Sequence, residues 1–130
     1  MKRIILSFFI LALGTSAQEK KDSEQLNKTS KKVSFSKDVR PVFVKKCLNC
    51  HNEDDESPSG LYLEEYEQLM KGDSRHGPVI KPKKGEESIL IQKLRGTAEF
   101  GKQMPRGRKP LDDETIEMIS RWIDQGAKNN

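Results

Sequence analysis

Both cysteines of the chain and one of its two histidines stand together in Cys47-Leu48-Asn49-Cys50-His51. The spacing C-x-x-C-H is that of covalent haem attachment. Two thiols, two residues apart on a helical turn, match the separation of the two porphyrin vinyl groups across which they add. The histidine that follows falls beneath the iron and becomes an axial ligand. Three other readings compete. A thioredoxin-like pair wants a preceding strand and a surrounding βαβ pattern, and none is visible. A zinc site would need Cys47, Cys50, His51 and His76, and the adjacent Cys50 and His51 make poor tetrahedral geometry. A disulfide would close a very short loop and leave His51 without a role. The residues point instead to one haem c held by Cys47, Cys50 and His51.

A second axial ligand is expected from methionine. Past the N-terminal segment, methionine stands at positions 70, 104 and 118. Met70 and Met118 fall within predicted helices. Met104 falls in Gly101-Lys102-Gln103-Met104-Pro105-Arg106-Gly107, an irregular stretch that can bring a thioether to the far face of a haem, with Pro105 stiffening the approach. Met104 is therefore the expected ligand. His76 is its rival, although a lone loop histidine is more often solvated.

The elements that must position these residues follow from periodicity and caps. Ser36 or Asp38 can cap a first helix, Pro41 suits its first turn, and Val39, Val42, Phe43 and Cys47 recur at three- and four-residue spacing. That stripe carries the helix to the motif. Asn52 to Gly60 reads as a solvated acidic loop. A short helix over Glu64 to Met70 ends near Gly72. Residues 72–84 are loop, and Glu86 to Leu94 form a third helix that Gly96 stops. The last helix has Asp112 as cap, with Asp113 and Glu114 at the positive end of its dipole. Ile116, Ile119, Trp122 and Ile123 share one face, and Gly126 terminates it. No stretch alternates as a strand does. The expected class is all-α, with about four helices packed around one covalently bound haem.

Haem attachment of this kind follows export in bacteria, and the N-terminus carries a matching address. Lys2 and Arg3 precede an apolar run from Ile4 to Leu13, too short for a membrane span, and Thr15-Ser16-Ala17 offers small residues for cleavage. Residues 1–17 are expected to be a signal peptide, with a periplasmic or otherwise exported destination. Membrane association is expected only if that segment stays uncleaved. Residues 18–32 are polar apart from Leu26 and are expected to form a disordered leader. The folded domain is expected over residues 33–130, one small domain.

Composition narrows the function. The formal charge of +4 falls to +2 when Lys2 and Arg3 leave with the signal. Charges of both signs are mixed and no stripe interleaves aromatic with basic residues, so no nucleic acid is expected as partner. Only 33% of the chain is hydrophobic, several of those residues lying in the signal. A conventional core would be thin, and a buried porphyrin would add apolar mass.

Taken together, these residues resemble the small bacterial class I cytochromes c, and most of all the planctomycete-type cytochrome c domain. The resemblance is carried by Phe35-Ser36-Lys37-Asp38-Val39-Arg40-Pro41-Val42-Phe43 leading to the C-x-x-C-H motif. It continues through Gly77-Pro78-Val79-Ile80, Ser88-Ile89-Leu90, Met104-Pro105 and Pro110-Leu111, and ends with Arg121-Trp122-Ile123-Asp124-Gln125-Gly126-Ala127. It implies a small cytochrome c fold on one haem c, with Cys47 and Cys50 as thioether positions and His51 and Met104 axial. It also implies packing of the first helix on the last, with Trp122 near Phe43 and the haem. His76 departs from the pattern, which has a small residue there.

The implied role is that of an exported electron carrier, not an enzyme by itself, monomeric, with redox proteins as donor and acceptor. Lys45, Lys46, Lys83, Lys84, Arg106 and Arg108 flank the motif segments and could steer an acidic partner. Two alternatives stay open at this point. One is a haem-based gas sensor or peroxide-reactive enzyme with a labile sixth ligand. The other is an electron-accepting subunit docked on a larger oxidoreductase.

Overall fold

The computed structural model describes residues 20–21, 31–53, 57 and 60–130. The expected signal peptide, residues 1–17, lies outside them, as does most of the expected leader. The chain divides into two units, Met1–Lys31 and Lys32–Asn130. Of the first, Lys20 and Lys21 are helical and exposed. The second holds every candidate residue.

That unit opens with a π-helical turn, Phe35–Val39, running directly into helix α1, Arg40–Lys46. The cap is Ser34 and not Ser36 or Asp38. Its Oγ accepts the Lys37 N–H at 3.3 Å, and Asp38 Oδ2 reaches back to accept the Ser34 N–H at 2.8 Å. This reciprocal pairing satisfies donors that the start of a helix leaves unmet. Pro41 lies in the first turn of α1, where its missing N–H costs little. Helix α2, Tyr66–Lys71, ends at Gly72.

The all-α expectation is overturned by the next segment. Strands β1, Asp73–Ser74, and β2, Gly77–Pro78, form a small antiparallel ladder, with Asp73 opposite Pro78 and Ser74 opposite Gly77. Two residues per strand are too few to show alternation, so periodicity had nothing to detect. The turn is built by side chain and glycine. Ser74 Oγ accepts the His76 N–H at 3.1 Å and donates to Gly77 O at 3.1 Å, while Gly77 takes a φ of +107°. Among the described residues, four α-helices, one π-helical turn and this hairpin are joined by long irregular segments.

Helix α3, Ile89–Arg95, begins later than the predicted Glu86. The Ser88 hydroxyl is engaged elsewhere, accepting from Lys81 N–H at 2.9 Å and donating to Lys84 O at 2.9 Å. Gly96 then closes α3 in the left-handed conformation at φ +74°. Helix α4, Asp113–Asp124, starts as expected: Asp112 Oδ1 accepts the Thr115 N–H at 2.8 Å. Its apolar face of Ile116, Ile119, Trp122 and Ile123 is buried. Arg95 ties α3 to its surroundings, bonding Glu86 at 3.1 Å and Glu117 of α4 at 2.5 Å.

The core is one continuous cluster in which Val39, Phe43, Leu69, Ile91, Ile119, Trp122 and Ile123 are all but fully buried. It is fuller than composition suggests, because nearly all of the domain's aliphatic residues point inward. The ring neighbours of Trp122 are Phe35, 5.3 Å away, and Tyr66, 6.5 Å away. Both ring systems carry a polar tip that finds a carbonyl. Tyr66 Oη donates to Ala127 O at 2.7 Å, and Trp122 Nε1 donates to Lys128 O at 2.9 Å.

Candidate functional site

The motif continues α1 as a turn. Cys47 N–H donates to Phe43 O at 2.8 Å, and the N–H groups of Cys50 and His51 both donate to Cys47 O at 3.1 Å. The stripe of α1 thus reaches Cys47, which is half-buried against the core, while Cys50 is exposed and both thiols are free. Burial pushes the Cys47 thiol up to about 11, opposed by the positive charge of Arg108 and reinforced by Cys50.

His51 is half-buried and held at one ring nitrogen. Its Nδ1 lies 3.0 Å from Leu61 O and 3.2 Å from Ser57 Oγ, and the Ser57 hydroxyl itself donates to Leu61 O. A carbonyl can only accept, so a proton belongs on Nδ1, and Nε2 is the nitrogen turned to other partners. The backbone adds a second tie, Leu63 N–H to His51 O at 3.0 Å. An imidazole oriented through one nitrogen in this way is what metal coordination by the other requires. Sequence reasoning missed Ser57, which is buried although it belongs to the stretch read as solvated loop. Nothing local marks it, since its partner Leu61 is supplied by a backbone oxygen.

Met104 is brought into place by the end of α3. The last carbonyls of a helix lack partners within it. Here Gln92 O accepts the Thr97 N–H at 2.9 Å, Lys93 O accepts the Met104 N–H at 2.9 Å, and Leu94 O accepts from Gln103 Nε2 at 2.8 Å. Residues 97–104 are therefore folded back over the helix terminus, and the Met104 side chain packs partly buried on the core. Lys93 Nζ adds a bond to Phe100 O at 2.7 Å, and burial lowers the Lys93 pKa. The signal for this loop lay in Gly96, but its anchoring carbonyls could not be read from residue types.

The other candidates fall elsewhere. Met70 and Met118 lie within α2 and α4 and pack against the core. His76 occupies the hairpin turn, exposed, with its ring stacked on Phe100 at 3.6 Å. Among the described residues no three or more of His, Cys, Asp or Glu gather as metal donors, so the zinc arrangement of Cys47, Cys50, His51 and His76 does not form. The positive charge of Arg108 acts on the Cys47 thiol.

A cavity of about 630 Å³ lies between α1 and the segment that leads into α4. Pro41, Val42, Pro110 and Leu111 supply its apolar lining, with Lys45, Lys46 and Lys109 around it. It adjoins Cys47 through Lys46 in sequence, but none of Cys47, Cys50, His51 and Met104 lines it. Among the described residues no helix is long and apolar enough to cross a membrane.

A helix-rich domain with a free C-x-x-C-H turn and an oriented histidine has the outline of a c-type cytochrome. Residues 47–106 match the family model described as Planctomycete cytochrome C. The matched segment begins at the first motif cysteine and contains Cys50, His51 and Met104. No curated protein and no solved structure matches the chain.

Proposed function

We propose that the protein is a monohaem c-type cytochrome that carries single electrons between redox proteins after export. The observation that carries this reading is His51, whose Nδ1 is held by Leu61 O at 3.0 Å and whose Nε2 is left for iron. The residues suit a haem c: two free thiols on one turn, an oriented imidazole, and a thioether on a loop tied down at its backbone. Cys47 and Cys50 would form the thioethers, with His51 Nε2 and Met104 Sδ axial. Bound there, the haem supplies a one-electron Fe(III)/Fe(II) couple.

The chain's own part is positional. Held by both His51 and Met104, a haem would have no position open to an exogenous ligand, which favours electron transfer over sensing or peroxide chemistry. A neutral thioether sulfur favours Fe(II) and raises the potential relative to a second imidazole. Lys45, Lys46 and Lys109 around the cavity, with Arg106 and Arg108 in the adjoining loop, would steer an acidic redox partner. Lys84 serves this less, being paired with Glu87 at 3.0 Å. Export supplies the setting for thioether formation, and residues 1–17 supply the address.

The test is the optical spectrum of the reduced, haem-loaded protein before and after carbon monoxide. The expected result is no change, with Met104→Ala giving a clear shift. A shift in the unmodified protein would sink the carrier reading in favour of an open or labile iron.

A further inference from the structure

The structure gives His76 a contact that ties the Met104 loop to a separate element. The loop rests on α3 through backbone and side-chain bonds at Lys93 O, Leu94 O and Lys93 Nζ. All of these come from one helix end. The Phe100 ring reaches away from it to the β1–β2 hairpin, where the His76 imidazole lies parallel to it, 9° between planes and 3.6 Å between centroids. Lys93 Nζ stands 5.1 Å from the same ring centroid while donating to Phe100 O. Phe100 is thus held between an α3 ammonium and a hairpin imidazole. On the hairpin side, the His76 backbone is held: its N–H is bonded to Ser74 Oγ within a closed two-strand ladder.

We propose that His76 is a positioning residue for Met104, acting through the Phe100 stack to hold the ligand-bearing loop against the domain. This rests on the reading of Met104 as the sixth ligand. Between Phe100 and Met104 the chain runs through Gly101, Lys102 and Gln103, all exposed, and the stack is a tie to the hairpin beside the Gln103 and Met104 bonds to α3. Loss of the stack would let Met104 leave its place more often, without opening the core.

The test uses the haem-loaded ferric protein with imidazole as the entering ligand, its uptake rate set by how often Met104 departs. His76→Ala should take up imidazole roughly two- to ten-fold faster, the range expected for losing one aromatic stack. It should also weaken the far-red absorption of methionine-ligated ferric haem. His76→Phe, which keeps a ring in place, should return both toward the unmodified protein. Met104→Ala is the fully open reference. If His76→Ala behaves as the unmodified protein while Met104→Ala is fast, the positioning role is overturned and the ligand reading stands. If His76→Phe is as fast as His76→Ala, the stack is not the device and the proposal fails. If the unmodified protein is already as fast as Met104→Ala, the ligand reading falls and takes the positioning role with it.

Discussion

Cys47 and Cys50 share a turn yet meet different surroundings. Cys50 is exposed, whereas burial holds Cys47 as a neutral thiol up to about pH 11. In the haem-free chain at pH 8, iodoacetamide should therefore alkylate Cys50 well before Cys47, because the thiolate is the nucleophile. Equal rates would show that Cys47 is not packed as described. Folding raises the Cys47 pKa above its ordinary 9.0, so the associated stability is fully present below pH 9 and is lost as pH rises through about 11. The urea midpoint of the haem-free chain should fall across that window more than that of Cys47→Ala. A thioether does not titrate, so the haem-linked protein should lack this component. At the same scale, Ser57 and Leu61 O choose the His51 nitrogen that stays free, a choice the motif itself leaves unspecified.

Elements here are joined by backbone contacts more than by long helical seams. Gly85 shows how close they run. It is buried between the loop before α3 and the side of α4, its N–H donating to Asp124 Oδ1 at 2.7 Å. A Cβ at this position would collide with the Ser120 hydroxyl and meet Ser120 O at 2.9 Å. Gly85→Ala should cost about 1–3 kcal/mol through overpacking, measurable as a lowered urea midpoint. An unchanged midpoint would mean that this loop does not press on α4. The end of α3 plays the complementary part, with its unpartnered carbonyls becoming the seat of the Met104 loop.

For the whole molecule, the aromatic cluster of Phe35, Tyr66 and Trp122 joins the π-helical turn, α2 and α4. The same corner collects the start and the end of the unit Lys32–Asn130. Asn130 Oδ1 accepts the Phe35 N–H at 2.9 Å, and Gln125 Oε1 accepts the Val33 N–H at 2.8 Å. Trp122 is 1% exposed. Trp122→Ala should cost about 3–5 kcal/mol, read as loss of cooperative unfolding or a large drop in midpoint. A loss under about 1 kcal/mol would mean that the cluster is not the keystone of the fold.

The expectation of a c-type cytochrome came from residues alone, because thiol spacing, a following histidine and an irregular methionine segment are all local patterns. The family match over residues 47–106 agrees with that reading. Helix α4 was equally legible, its cap, dipole charges and apolar face all lying within one element. What only the folded structure decided are pairings that no pattern of residue types marks. Ser88 turned to the Lys81–Lys84 backbone, delaying α3, and a two-residue ladder replaced expected loop. His51 Nδ1 met Leu61 O, and His76 met Phe100 across 24 residues of sequence. The reason is physical: periodicity and caps report on neighbours three or four positions away. Which carbonyl orients an imidazole, or which ring a histidine stacks on, depends on where the chain returns.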